Sequence, residues 1–331
     1  MRRRDFLRNA TLAGAAGLAA VRPCRAAAEP PPETTKLRIH QGNNICAAPQ
    51  VVAEALLRAE GFTDLEYIRG RGRGGPAGLI SGEAHIAVTG AAGLVRRVDE
   101  GQPLVILAGS HVGCYELFAT GRIRALRDLK GKTIAVDGIR TERHLVVSIV
   151  LAHMGMDPKR DVTWVEHPPA KSIELLAEGK VDAVLAFPPE PQELRARGIG
   201  HVILNTTRDR PWSQYFCCIV ASSREFVRKH PIATKRALRA ILKAGDLCAV
   251  EPERVARTFV DKGFAQVYDY ALQVIKEIPY GQWRQYDPGD TVRFAALRLH
   301  EVGMIKSSPQ KILAQGTDWR FLNELKKELK G

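Results

Sequence analysis

The chain has 331 residues, of which 45% are hydrophobic and 26% charged, and its formal net charge is +13. This is an ordinary globular composition with room for two domains. The positive charge is spread along the sequence, without a basic helix carrying interleaved aromatics and without a nucleic-acid motif, so it reads as solvated surface and excludes a nucleic-acid partner.

Arg2, Arg3, Arg4 and Arg8 form a basic head, residues 10–21 an apolar Ala/Gly-rich stretch, and Ala26, Ala27 and Ala28 a small-residue box. The apolar stretch is shorter than the roughly 20 residues a spanning helix needs. The order predicts a secretory signal peptide over 1–28, not an anchor, and a periplasmic protein starting near Glu29. "RRRDFLR" resembles the twin-arginine export motif, with Arg3 and Arg4 as the pair and Arg2 where Ser or Thr is usual. "VRP" before Cys24 lacks the small residues of a lipobox. Losing 1–28 removes six Arg and Asp5 and leaves a net +8.

"EPPPETT" reads as an extended leader, and "KLRIH" as the first strand. A loop, "QGNNICAA", follows, and Pro49 opens a helix. "LEYI" is the next strand, then the Gly/Arg loop "RGRGGP". "AHIAVT" and "PLVILAG" are strands flanking the helix "AAGLVRRVDEG". Short apolar runs with helices between them predict a parallel α/β sheet. After "YELFA" the pattern restarts with the strands "KTIAV", "DVTWVEH", "DAVLAF" and "HVIL". In "KTIAVDGIRTERHLVVSIVLAHMG" the strand ends in a turn at Gly138. Thr141 is placed to cap a helix over 142–153, whose free N–H groups point into the turn beside Arg140. "QYFCCIVA" is a further strand, and from Ser223 onward apolar residues recur at helical spacing.

The expected organisation is two α/β lobes. Lobe 1 comprises 36–114 and 220–331, lobe 2 comprises 121–212, and crossovers lie near 115–119 and 213–220. Two crossings make a hinge, and a cleft between lobes is a common ligand site.

Cys46, Cys114, Cys217, Cys218 and Cys248 follow the signal segment. The number is odd and the spacing fits no zinc pattern. They read as buried apolar thiols, with no metal and no cofactor assigned. A redox or metal cluster is the alternative, if the loops of Cys46, Cys114 and Cys217 converge. Cys217 and Cys218 are neighbours on a strand and should face opposite sides.

"LISGEAHIAVTGAAG", "DLKGKTIAVDG", "LAEGKVDAVLAFPPEP" and "EFVRKHPIATKRALRAILKA", in that order over nearly all of 36–260, resemble the landmarks of periplasmic substrate-binding proteins of ABC importers. The class is the nitrate, sulfonate and taurine type, which includes pyrimidine-precursor binders. The resemblance implies a two-lobed type II periplasmic binding fold with a ligand cleft between the lobes and a helical C-terminal tail. It implies a monomer that hands a small anionic or polar solute to an inner-membrane permease and its ATPase, and no catalysis.

Carried over by position, it places ligand contacts at Gln41, Asn43 and Asn44, at Arg73 and Gly74, at Thr89 and Gly90, and at Ser110 and His111. Arg140 and Thr141 face these across the cleft, with Phe187, Glu190 and Tyr215. Pairing with Glu142 or Glu166 is the structural alternative for Arg140. Thiamine-pyrimidine synthases share the fold, and the adjacent Cys217 and Cys218 bear a faint similarity to their cysteine cluster. That enzyme and a sensory receptor are the alternatives to transport. Serine-triad, zinc and phosphate-loop signatures are absent from the sequence.

Overall fold

The short apolar, β-branched runs form ten strands in two sheets in the computed structural model, which describes residues 29–41, 44–69 and 76–329. Residues 1–28, expected to be a signal peptide, and Asn43, Arg73 and Gly74 lie outside the described residues. Sheet one contains β1 (Lys36–Gln41), β2 (Asp64–Arg69), β3 (Ile86–Gly90), β4 (Leu104–Val112) and β10 (Phe216–Ser223), in the order β2-β1-β3-β10-β4. Sheet two contains β5 (Glu116–Ala119), β6 (Lys132–Val136), β7 (Val162–Glu166), β8 (Ala183–Ala186) and β9 (His201–Asn205), in the order β7-β6-β8-β5-β9. Every residue of β4 is buried, and in β10 all but Ser223 are. That is why these strands read as unbroken apolar runs.

The sheets are mixed, not wholly parallel as expected. β1 pairs parallel with β2 and β3, and β6 with β7 and β8, but β10 and β5 run antiparallel to their neighbours. Both reach their sheet from the other sheet and not through a crossover helix, so the geometry that makes βαβ units parallel does not apply to them. The chain therefore passes between sheets at 113–115 and 206–215. The stretches expected to carry the crossovers, near 115–119 and 213–220, contain β5 and most of β10, each laddered to two neighbouring strands.

From Arg224 the chain is almost wholly helical. The longest helix, Pro231–Val250, begins on proline, and the Glu33 carboxylate accepts hydrogen bonds from the N–H groups of Ile232 and Ala233 at 2.9 and 2.8 Å. An acid at a helix start satisfies orphan donors and complements the dipole. The helix Pro288–Glu301 packs against both Ala91–Asp99, which follows β3, and Glu142–His153, which follows β6. It thus ties one helix of each sheet together. Among the described residues no helix is long and apolar enough to cross a membrane.

Candidate functional site

β3 and β6 each deliver the chain to a helix, and the starts of the two helices meet. Thr141 caps the second, its hydroxyl accepting from His144 N–H at 3.5 Å and donating to the Gly138 carbonyl at 2.6 Å. Arg140 takes a left-handed conformation, φ 67°, and donates its N–H to His144 Nδ1.

Glu142, the first residue of the second helix, reaches across to the start of the first. Its Oε2 accepts from Gly93 N–H at 2.6 Å, and its Oε1 accepts from Ala92 N–H at 3.3 Å and from the Tyr115 hydroxyl at 3.4 Å. A Cβ at position 90 would lie 2.2 Å from the carboxyl carbon, and one at 93 would lie 2.8 Å from Oε2. Glycine at both positions lets a carboxylate sit against the backbone. Part of Glu142 stays accessible to solvent, but its carboxyl group is enclosed by these neighbours. Burial pushes its pKa up to about 7, against the Gly93, Ala92 and Tyr115 donors, which favour the ionised form.

Beside this carboxyl lies an open pocket of about 70 Å³. Ala92, Tyr115, Trp212, Tyr215 and Phe294 form part of its wall, which is mostly apolar. Tyr215 stacks on Phe294 with centroids 4.3 Å apart. The arrangement offers a polar end and an aromatic body, the pattern of a small-molecule site.

Arg143 is buried and closes the neighbouring space. It forms a two-pronged pair with Glu190 at 2.7 and 2.8 Å, donates to the Leu185 carbonyl, and lies 4.1 Å over the Phe187 ring. Phe187 stacks on Tyr115 at 4.5 Å.

Behind Tyr115 five polar side chains converge. Cys46 sits on the 3-10 turn Ile45–Ala47, His111 on β4, Cys114 just after β4, and Cys217 and Cys218 on β10. The Cys217 and Cys218 sulfurs are 3.7 Å apart. Strand alternation should have separated them. The pairing of β10 with β4 instead shifts register around Cys218, and this bulge turns both sulfurs into one space. Hydrogen bonds from Cys114, Cys217 and Cys46, with the His111 charge beside them, hold the Cys218 thiol well below its usual value against the cost of burial. Burial disfavours protonated His111, but the Cys218 thiolate overcomes this and raises it to about 10.

The residues proposed from sequence separate into groups. Gly90 abuts Glu142, Thr141 caps its helix, Phe187 stacks on Tyr115, and Tyr215 lines the pocket. Gln41, Ser110 and His111 are buried at strand ends, and Ser110 Oγ meets no hydrogen-bond partner among the described residues. Thr89 lies in the ladder opposite Ile219, and Asn44 is exposed ahead of the 3-10 turn.

Glu190 pairs with Arg143. One expectation needs correction. Arg140 pairs with Glu100 at 2.7 Å and not with Glu142 or Glu166, because Glu142 is held by the facing backbone and Glu166 accepts from Ile139 N–H. Sequence reasoning missed Glu142, Tyr115 and Arg143. The signal in the sequence was the acidic residue directly after the Thr141 cap.

A family model described as the NMT1-like family matches residues 30–259. Among solved structures, the periplasmic nitrate-binding protein NrtA from Synechocystis PCC 6803 is similar at 16% identity and a TM-score of 0.75, covering 91% of this chain and 90% of that one. The periplasmic aliphatic sulphonate binding protein SsuA from Escherichia coli is similar at 16% identity and a TM-score of 0.67, covering 87% and 94%. A DSZB mutant in complex with biphenyl-2-sulfinic acid is similar at 16% identity and a TM-score of 0.62, covering 88% and 99%. At these identities the likeness establishes the periplasmic binding protein fold. No curated protein matches the chain.

Proposed function

This chain belongs to the NMT1-like family, and on that premise we propose that it is the periplasmic solute-binding component of an ABC importer. It captures a small anionic or polar organic solute between lobes carrying the two sheets, and delivers it to an inner-membrane permease with its ATPase. It works as a monomer without catalysis, and 1–28 directs its export by the twin-arginine route.

The observation that carries this reading is the seat of Glu142. Backbone N–H groups at the start of the Ala91–Asp99 helix hold a carboxylate at 2.6 and 3.3 Å, between one helix of each sheet. Carboxylate, sulfonate and nitrate oxygens present the same acceptors to such a helix start. The incoming solute displaces Glu142 from this seat and lays its organic part against the aromatic wall at Tyr215 and Phe294. The nitrate- and sulphonate-binding roles named for two proteins of the same fold support the anion class.

A thermal-shift screen of the chain from Glu29 onward tests this against nitrate, bicarbonate, alkyl and aryl sulfonates, aromatic carboxylates and pyrimidines. A true solute at a hundred times its dissociation constant adds about 2.7 kcal/mol and raises Tm by several degrees. Failure of every class to shift the transition contradicts the reading.

The thiols around His111 favour an enzyme as the second reading. Their burial argues against it, since an attacking thiolate must be reachable by its substrate.

A further inference from the structure

We propose that Cys46, His111, Cys114 and Cys218 form a structural zinc site. One ligand atom from each of the four lies within 4.8 Å of all the others, and all four residues are buried. Tetrahedral zinc bound at about 2.3 Å by thiolate sets sulfur atoms about 3.8 Å apart. The Cys46 and Cys218 sulfurs are 3.8 Å apart. Three thiolates and an imidazole suit a thiophilic cation and leave no open position, which marks a structural site and not a catalytic one.

The residues come from three segments, the 3-10 turn at Cys46, the stretch at the end of β4 from His111 to Cys114, and β10, so the fold and not one local motif brings the four together. Two features of the backbone serve the cluster. Cys114 adopts φ 126°, a region that side-chain-bearing residues rarely occupy. The register shift in β10 turns Cys218 inward. A second layer fixes the ligands: the Tyr280 hydroxyl donates to the Cys46 carbonyl at 3.2 Å, and its ring meets His111 edge-on at 5.2 Å.

The site's place gives it a role. His111 and Cys218 belong to sheet one, whereas Cys114 lies in the 113–115 passage into sheet two. Zinc therefore fastens that passage to sheet one. Cys217 is the competitor, because its sulfur is 2.8 Å from that of Cys114. A disulfide between them would withdraw Cys114 from the metal.

The test is zinc content by mass spectrometry of the chain from Glu29 onward, isolated from the exported fraction, then reduced and offered zinc alone. We expect one zinc per chain, a thiolate-to-metal charge-transfer band when cobalt replaces it, and a lower Tm after chelation. Cys46→Ser should lose the metal, and Cys248→Ser, a buried thiol outside the cluster, should keep it. If Cys46→Ser does not fold, X-ray absorption at the zinc edge of the wild-type protein decides, with three sulfurs and one nitrogen expected. The proposal is overturned by reduced wild type that holds no zinc, by equal zinc in Cys46→Ser, by an oxygen-only shell, or by a zinc-free exported protein with Cys114 linked to Cys217.

Discussion

Replacing Glu190 with alanine should destabilise the protein by about 3 kcal/mol or more, because it leaves a buried guanidinium without its partner. Arg143 is only 8% exposed. After the change it would keep the Leu185 carbonyl and a distant Asp137 carboxylate at 3.7 Å. The Phe187 N–H would also lose its acceptor. Replacing both partners at once, Arg143→Met with Glu190→Leu, should cost far less, since a well-packed apolar pair avoids the desolvation penalty. Urea denaturation of the two variants measures this. Equal losses in both would show that the pair acts through packing and not through charge.

The second large effect is a pH dependence that Glu142→Gln should remove. The folded-state pKa is raised to about 7, above an unfolded value of about 4.3. Between those values the folded protein holds a proton that the unfolded chain has released. Stability from this group is therefore full below about pH 4 and is lost as pH rises towards 7, with no further change above. The span corresponds to as much as about 4 kcal/mol, reduced by the solvent access that Glu142 retains. Wild type should lose stability between about pH 4 and 7 relative to the glutamine variant. Parallel pH profiles for the two proteins would mean that the Glu142 carboxyl is better solvated than its seat implies. Because the seat holds the carboxylate through two N–H groups, anion binding should also tighten in Glu142→Ala, where the competitor is gone.

Much of the fold was legible because its signals are local. The apolar run 132–136, the glycine turn and Thr141 fix a strand, a cap and a helix within one short stretch, and the structure places Glu142–His153 as that spacing predicts. The helical character beyond Ser223 follows from periodicity alone. Partner strands were less legible. The antiparallel placement of β5 and β10 depends on which sheet each joins, and alternation within a strand carries no such information.

The site was legible only in its frame. The loop after β6 was found from its turn chemistry and the loop after β3 from the family resemblance, but the side chain that occupies the space was not. Arg140 looked functional because it is charged and lies in the turn. Glu142 entered only as the start of the helix and as a possible partner for Arg140. Tertiary contact reversed the roles: Glu100 takes Arg140, while the facing N–H groups of Ala92 and Gly93 take Glu142. The thiols show the same limit. Regular strand alternation separates Cys217 from Cys218, and only the bulge in β10 joins them.

The central claim is reversible capture of one solute without chemistry. Native mass spectrometry of the chain from Glu29 onward, mixed with the solute selected by thermal shift and then denatured to release it, tests this most directly. One solute per chain, recovered with its mass unchanged, is the expected result. Release of a chemically altered molecule, or a covalent adduct left on the protein, would contradict it.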